Sequence, residues 1–122
     1  MNVAVFGSTG YLGSELIKIL SYREDVEIVY TASSQKEAGR LEGAKIAFLA
    51  LPHQQSMETV PKVLPLMELG VIDLSGAYRL KNPSDYLSFY GWEHRYTSLL
   101  KEAIYGLPET KRAVIHKAKL VA

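Results

Sequence analysis

The sequence predicts an α/β protein: a Rossmann-type, doubly wound, mostly parallel sheet with helices on both faces. Three observations carry that expectation. Short apolar runs alternate with helix-length segments, the pattern of βαβ units. One run, Ile46-Ala47-Phe48-Leu49-Ala50-Leu51, is apolar throughout, as a central strand covered on both faces must be. A glycine turn, Gly7-Ser8-Thr9-Gly10-Tyr11-Leu12-Gly13, lies between the apolar Val3-Ala4-Val5-Phe6 and a helix-like stretch, where this fold places its first strand-to-helix turn.

The elements follow in order. A first strand over about 2–6 leads into a helix over about 11–21, in which Leu12, Leu16, Ile17 and Leu20 recur at helical spacing with Glu15 and Lys18 turned outward. Val26–Thr31 forms the second strand and Ile46–Leu51 the third. Pro52–Ser56 then makes a turn, with Ser56 as N-cap of a segment running to about Leu69. Pro61 and Pro65 should break that helix, since each removes a backbone hydrogen bond. Gly70 serves as the residue closing it, and Val71–Leu74 is the fourth strand. Residues 82–95, with Tyr86, Phe89, Tyr90 and Trp92, read as an ordered connection containing short helical turns. Helices near 96–103 and 109–117 flank the turn Tyr105–Glu109, and Lys119–Ala122 is a strand. Residues 1–122 therefore read as one dinucleotide-binding domain.

The glycine turn carries the chemistry. A buried strand feeding it brings free backbone N–H groups and the positive end of a helix dipole to one point, where a pyrophosphate can be held. Its form is G-x-x-G-x-x-G, and glycine triplets also occur in turns that bind nothing. The end of the second strand bears on which nucleotide is taken. It holds Ser33-Ser34 and no carboxylate, with Lys36 and Arg40 following, so a 2′-phosphate would meet positive charge and NADP is favoured over NAD. Glu37 opposes that argument if it faces the phosphate.

Composition excludes several classes. The net charge is +1 with basic residues scattered, which gives no footprint for nucleic acid. The amino terminus has no export signal and no apolar segment reaches membrane-spanning length, so the expected address is the cytoplasm. With no cysteine there is no disulfide, no thiolate metal site and no thiol nucleophile, and no metal site is expected.

Four blocks point further: Gly7–Leu16, Leu49-Ala50-Leu51-Pro52-His53, Val71-Ile72-Asp73-Leu74-Ser75-Gly76-Ala77-Tyr78-Arg79-Leu80, and Tyr105-Gly106-Leu107-Pro108-Glu109. In this order they resemble the N-acetyl-γ-glutamyl-phosphate reductase family, over nearly the whole chain. Reductases acting on carrier-protein-linked aminoadipyl or glutamyl phosphate resemble it closely too. The resemblance implies NADPH-dependent reduction of an acyl phosphate to an aldehyde: thiolate attack, loss of phosphate to a thioester, then hydride transfer. It implies cofactor contacts at Gly7, Ser8, Thr9, Gly10, Tyr11, Leu12, Gly13, Ser33, Ser34, Lys36, Leu51, Pro52 and Ser75. It also implies two departures. Members carry a longer segment between the second and third strands, and they continue into a cysteine turn and a substrate domain with a histidine base that provides most oligomer contacts. These 122 residues, lacking both, are expected to bind NADP(H) and to turn over no acyl phosphate by themselves. A non-catalytic nucleotide-sensing module is the alternative.

Single residues admit plain structural roles. His53 either borders the cofactor or caps a neighbour, and Leu51-Pro52 either lies against the nicotinamide or merely ends a strand; Ser75 poses the same choice. Asp73, inside an apolar strand, should pair with Arg79 or cap backbone donors. The aromatic residues of 82–95 are read as packing.

Overall fold

The computed structural model describes residues 1–122 as a six-stranded, mostly parallel sheet in the order β3-β2-β1-β4-β5-β6. The strands are β1 (Asn2–Phe6), β2 (Glu27–Ala32), β3 (Glu37–Gly39), β4 (Ile46–Leu49), β5 (Gly70–Asp73) and β6 (Leu120–Val121). The helices are α1 (Tyr11–Ser21), α2 (His53–Val63), α3 (Pro83–Tyr90), α4 (Thr97–Glu102) and α5 (Pro108–Ile115). All strand pairs are parallel except β2 with β3.

Connection handedness distributes the helices. From β1 the chain moves to β2 on one side, and from β4 to β5 on the other, so right-handed crossovers put α1 and α2 on opposite faces. Strand alternation supplies the matching surfaces. Val3 and Val5 pack with Leu16, Ile17 and Leu20 on the α1 face, while Ala4, Ala47, Leu49 and Val71 pack with Met57, Val60 and Val63 on the α2 face. Each valine, leucine or methionine side chain among them, once buried, contributes about 1.5–3 kcal/mol.

The expected elements form, with corrections that have physical causes. β2 is displaced by one residue and ends at Ala32, and β4 stops at Leu49, leaving Ala50 and Leu51 to the turn. Ser56 is not the N-cap: Pro52 occupies that position, its ring fixing φ at −55 with ψ at 150, and α2 starts at His53. Ser56 is instead buried in the first turn. Pro61 does not break α2. Lacking an N–H it frees the carbonyl of Met57, four residues back, and the Tyr78 hydroxyl donates to that carbonyl at 2.8 Å. The break comes only after Val63, at a 3₁₀ turn over Leu64–Leu66 that contains Pro65. Gly70 opens β5 rather than closing a helix.

One element was not foreseen. β3 folds back antiparallel on β2, with Ala32 opposite Glu37, Thr31 opposite Ala38 and Tyr30 opposite Gly39. This return delivers the chain to the start of β4 through Arg40–Lys45 without a crossover helix. No helix is long and apolar enough to cross a membrane.

Candidate functional site

β1 ends in a turn that only glycine permits. Gly7 has φ +81, and a Cβ there would stand 2.1 Å from the Ala50 carbonyl oxygen; one on Gly13 would stand 2.0 Å from the Gly7 carbonyl oxygen. Gly13 thus lets α1 sit directly on the strand-to-helix turn. The Ala32 carbonyl anchors the turn by accepting from the Gly7 amide at 2.7 Å, the Ser8 amide at 3.0 Å and the Ser8 hydroxyl at 3.2 Å. Gly10 donates back to the Gly7 carbonyl at 3.2 Å. The amides of Thr9, Tyr11, Leu12 and Gly13 donate to no protein acceptor, and Gly10, as N-cap, offers no side chain to them. They crowd the positive end of α1, with Thr9, Gly10, Tyr11 and Leu12 open to solvent.

Beside this turn lies a cleft of about 810 Å³ at the carboxyl ends of β1 and β2. Gly7, Ser33, Ser34 and Leu51 share its wall with Phe6, Ala32, Glu37, Trp92 and the α2 residues Gln54, Gln55, Met57, Glu58 and Thr59, closed by Glu93 and Arg95. In open α/β sheets, ligands bind in such crevices. Lys36 and Arg40 are not on the wall; Glu37 is. Glu58 binds the Arg95 guanidinium through Oε1 and accepts from the Tyr96 hydroxyl at 2.9 Å through Oε2. Burial, with the nearby Glu37 carboxylate as the smaller cause, holds the Tyr30 phenol above its ordinary range. Ser33 spends its hydroxyl locally, accepting from the Gln35 and Lys36 amides at 3.3 and 3.1 Å and donating to the Lys36 carbonyl at 3.2 Å.

Pro52 and Ser75 lie outside the cleft wall. The segment after β5 closes on itself. Asp73 accepts from the Ser75 amide at 3.0 Å and the Ser75 hydroxyl at 2.9 Å, and that hydroxyl accepts from the Ala77 amide at 3.0 Å. His53 takes the remaining amide, Gly76, on Nδ1 at 2.7 Å, which fixes its proton on Nε2. Asp73 is 1% exposed; burial pushes its carboxyl up, against the opposing pull of the Ser75 amide and hydroxyl. The Ser56 hydroxyl is buried without a partner in hydrogen-bond geometry. Of the two roles expected for Asp73, capping of donors is the one observed. Arg79 forms no ion pair with it; its Nη2 donates to the Leu74 carbonyl at 3.1 Å and the guanidinium lies 5.9 Å over the Tyr105 ring.

The aromatic segment divides. Tyr86 is fully buried, accepting from the Leu80 amide and donating to the Gly76 carbonyl, both at 3.0 Å. His94, which the sequence did not single out, lies 4.9 Å from the Tyr78 and Tyr86 rings, and burial holds its pKa down. Trp92 turns to the cleft, and Phe89 is 77% exposed. No cluster of acidic or histidine side chains has the form of a metal site.

Comparison with known proteins identifies the family and the fold. The family model described as semialdehyde dehydrogenase, NAD-binding domain, matches residues 2–41 and 39–118. A [LysW]-L-2-aminoadipate/[LysW]-L-glutamate phosphate reductase of Sulfurisphaera tokodaii is 40% identical over 147 positions, covering all of this chain and 42% of that protein. The N-acetyl-gamma-glutamyl-phosphate reductase of Aquifex aeolicus is 37% identical over 144 positions, again covering all of this chain and 42% of that protein. Among solved structures, aspartate semialdehyde dehydrogenase II of Vibrio cholerae, complexed with ASA, superposes with a TM-score of 0.66 at 20% identity, over 98% of this chain and 40% of that one; this likeness is one of fold. The chain thus spans about two fifths of the curated relatives it matches. An alignment of 147 positions against 122 residues leaves 25 positions of the first relative without a counterpart. The two matched stretches meet at 39–41, which puts the shortfall at the connection from β3 to β4.

Proposed function

For a chain that belongs to the semialdehyde dehydrogenase family through its NAD-binding domain, we propose that residues 1–122 hold a nicotinamide dinucleotide for the reduction of an acyl phosphate. The observation that carries this is the turn at Gly7–Gly13: four amides without protein partners, on a glycine cradle that any Cβ would fill, beside an 810 Å³ cleft. The donor set suits a diphosphate, which needs several N–H groups converging on oxygen and no cation. Gly7, Ser8, Thr9, Gly10, Tyr11, Leu12 and Gly13 form that cradle in our reading. The adenosine half takes the cleft between Ser33-Ser34 and α2, and Leu51 and Pro52 border the path toward β5. Ser75, its amide and hydroxyl both committed to Asp73, contributes only its carbonyl there. When bound, the dinucleotide supplies hydride; the chain's own part is to grip and orient it.

The acyl group we assign first is N-acetyl-γ-glutamyl phosphate, reduced to its semialdehyde in arginine biosynthesis. Carrier-linked aminoadipyl or glutamyl phosphate is a second reading, favoured by the 40% identity to the Sulfurisphaera tokodaii reductase. In either case the thiolate comes from outside these residues, which contain no cysteine. The working assembly in this reading is a cytoplasmic homo-oligomer of a longer protein, without nucleic acid or membrane partners, and residues 1–122 are its cofactor domain. The NADP preference read from Lys36 and Arg40 is not carried forward, since neither side chain reaches the cleft wall. Titration of the chain with NADH, NADPH and ADP-ribose tests the reading. Saturable binding of a dinucleotide, displaced by ADP-ribose, is the expected result; no binding of any of the three at millimolar concentration would refute it.

A further inference from the structure

We propose that Glu37 makes this cleft selective for the dinucleotide that lacks a 2′-phosphate. The inference rests on the dinucleotide reading above and goes beyond it by naming which of two cofactors the site takes and which residue decides. In this fold a carboxylate that accepts from the ribose hydroxyls ordinarily stands at the end of the second strand. Here β2 ends at Ala32-Ser33-Ser34 without one. The hairpin supplies it from the neighbouring strand. Glu37 is paired directly with Ala32, whose carbonyl anchors the amides of Gly7 and Ser8, so its Cα stands one interstrand spacing, about 5 Å, from the residue that fixes the turn. Its side chain lines the cleft together with Ser33 and Ser34.

The surrounding charge points the same way. The wall carries the carboxylates of Glu37, Glu58 and Glu93 against one guanidinium, Arg95, and that guanidinium is already paired with Glu58. A free hydroxyl at the ribose 2′ position can donate to the Glu37 carboxylate. A phosphate there brings about −1.5 to −2 further charge into a wall that is already net negative. Nor is Ser33 free to bind that phosphate, since its hydroxyl already closes the Ser33–Lys36 turn.

The test is binding by the 122-residue chain, read by energy transfer from its one tryptophan, Trp92, to the reduced nicotinamide and confirmed calorimetrically with ADP-ribose and 2′-phospho-ADP-ribose. NADH is expected to bind at least about tenfold tighter than NADPH. Glu37→Gln should raise NADPH affinity and weaken NADH, narrowing the ratio between them, and Glu37→Lys should invert the preference. Tighter NADPH binding by the unaltered chain, or a NADH-to-NADPH ratio that Glu37→Gln does not move, overturns the proposal while leaving the dinucleotide site standing. Failure of both dinucleotides to bind removes that site and the proposal with it.

Discussion

Two turns at the carboxyl ends of parallel strands, Gly7–Gly13 after β1 and Asp73–Tyr78 after β5, solve the same problem in opposite ways. Both must dispose of backbone N–H groups where a strand ends inside the molecule. The first leaves four of them open at the positive end of α1. The second closes its own: Asp73 accepts from Ser75, the Ser75 hydroxyl from Ala77, and His53 from Gly76. The difference follows from residue type. Glycines have no side chain with which to satisfy a neighbour, so the first turn must look outward, whereas Asp and Ser cap amides two residues on. In our reading the outward-facing turn is the ligand site and the self-satisfied one is scaffold.

Substitutions can break this contrast. The largest effect is expected from Gly13→Ala, whose methyl meets the Gly7 carbonyl; denaturation should show a loss of about 3 kcal/mol or more, with dinucleotide binding abolished. Asp73→Ala should cost about 2–3 kcal/mol by stranding the buried Ser75 amide and hydroxyl, and should leave dinucleotide affinity intact in the folded fraction. That carboxyl also gives the closed turn a pH signature. Because its pKa is raised in the folded state, its contribution to stability is fully present below the ordinary carboxyl range and is lost as pH rises through the raised value. Asp73→Asn should therefore flatten the decline in stability between acidic and neutral pH, as followed by urea denaturation at several pH values. Tyr78→Phe comes next, at about 1–2 kcal/mol, since it strands the Met57 carbonyl that Pro61 leaves unbonded, and amide exchange in α2 should rise around that point. Ser33→Ala is expected to be mildest, under about 1 kcal/mol, without change in dinucleotide binding because its hydroxyl serves only its own turn.

The amino-terminal turn was legible because strand, glycine spacing and helix follow one another without interruption from Asn2 to Ser21, and local pattern decides them. The same holds for α1, whose Leu16, Ile17 and Leu20 pack as read while Leu12, at the start of the stripe, is exposed. β3 was not legible. Its three residues are all exposed and carry no alternation, and it exists only because Ala32 and its neighbours offer an edge to pair with. Which charge the cleft wall presents was not legible for the same reason: that Glu37 rather than Lys36 lines it is set by hairpin register, which composition does not encode. The course of α2 through Pro61 likewise depended on a hydroxyl seventeen residues further on, at Tyr78, invisible to any window on the helix.

That last contact has mechanical weight. Where a proline interrupts a helix, the axis can ordinarily bend; here a phenol from outside the helix clamps the weak joint, so the wall formed by Met57 and Glu58 is pinned to the loop that follows β5. A guest settling into the crevice would then find α2 and that loop yielding together or not at all, and strain imposed at the adenosine end would be felt beside His53, some four residues and one helical turn away.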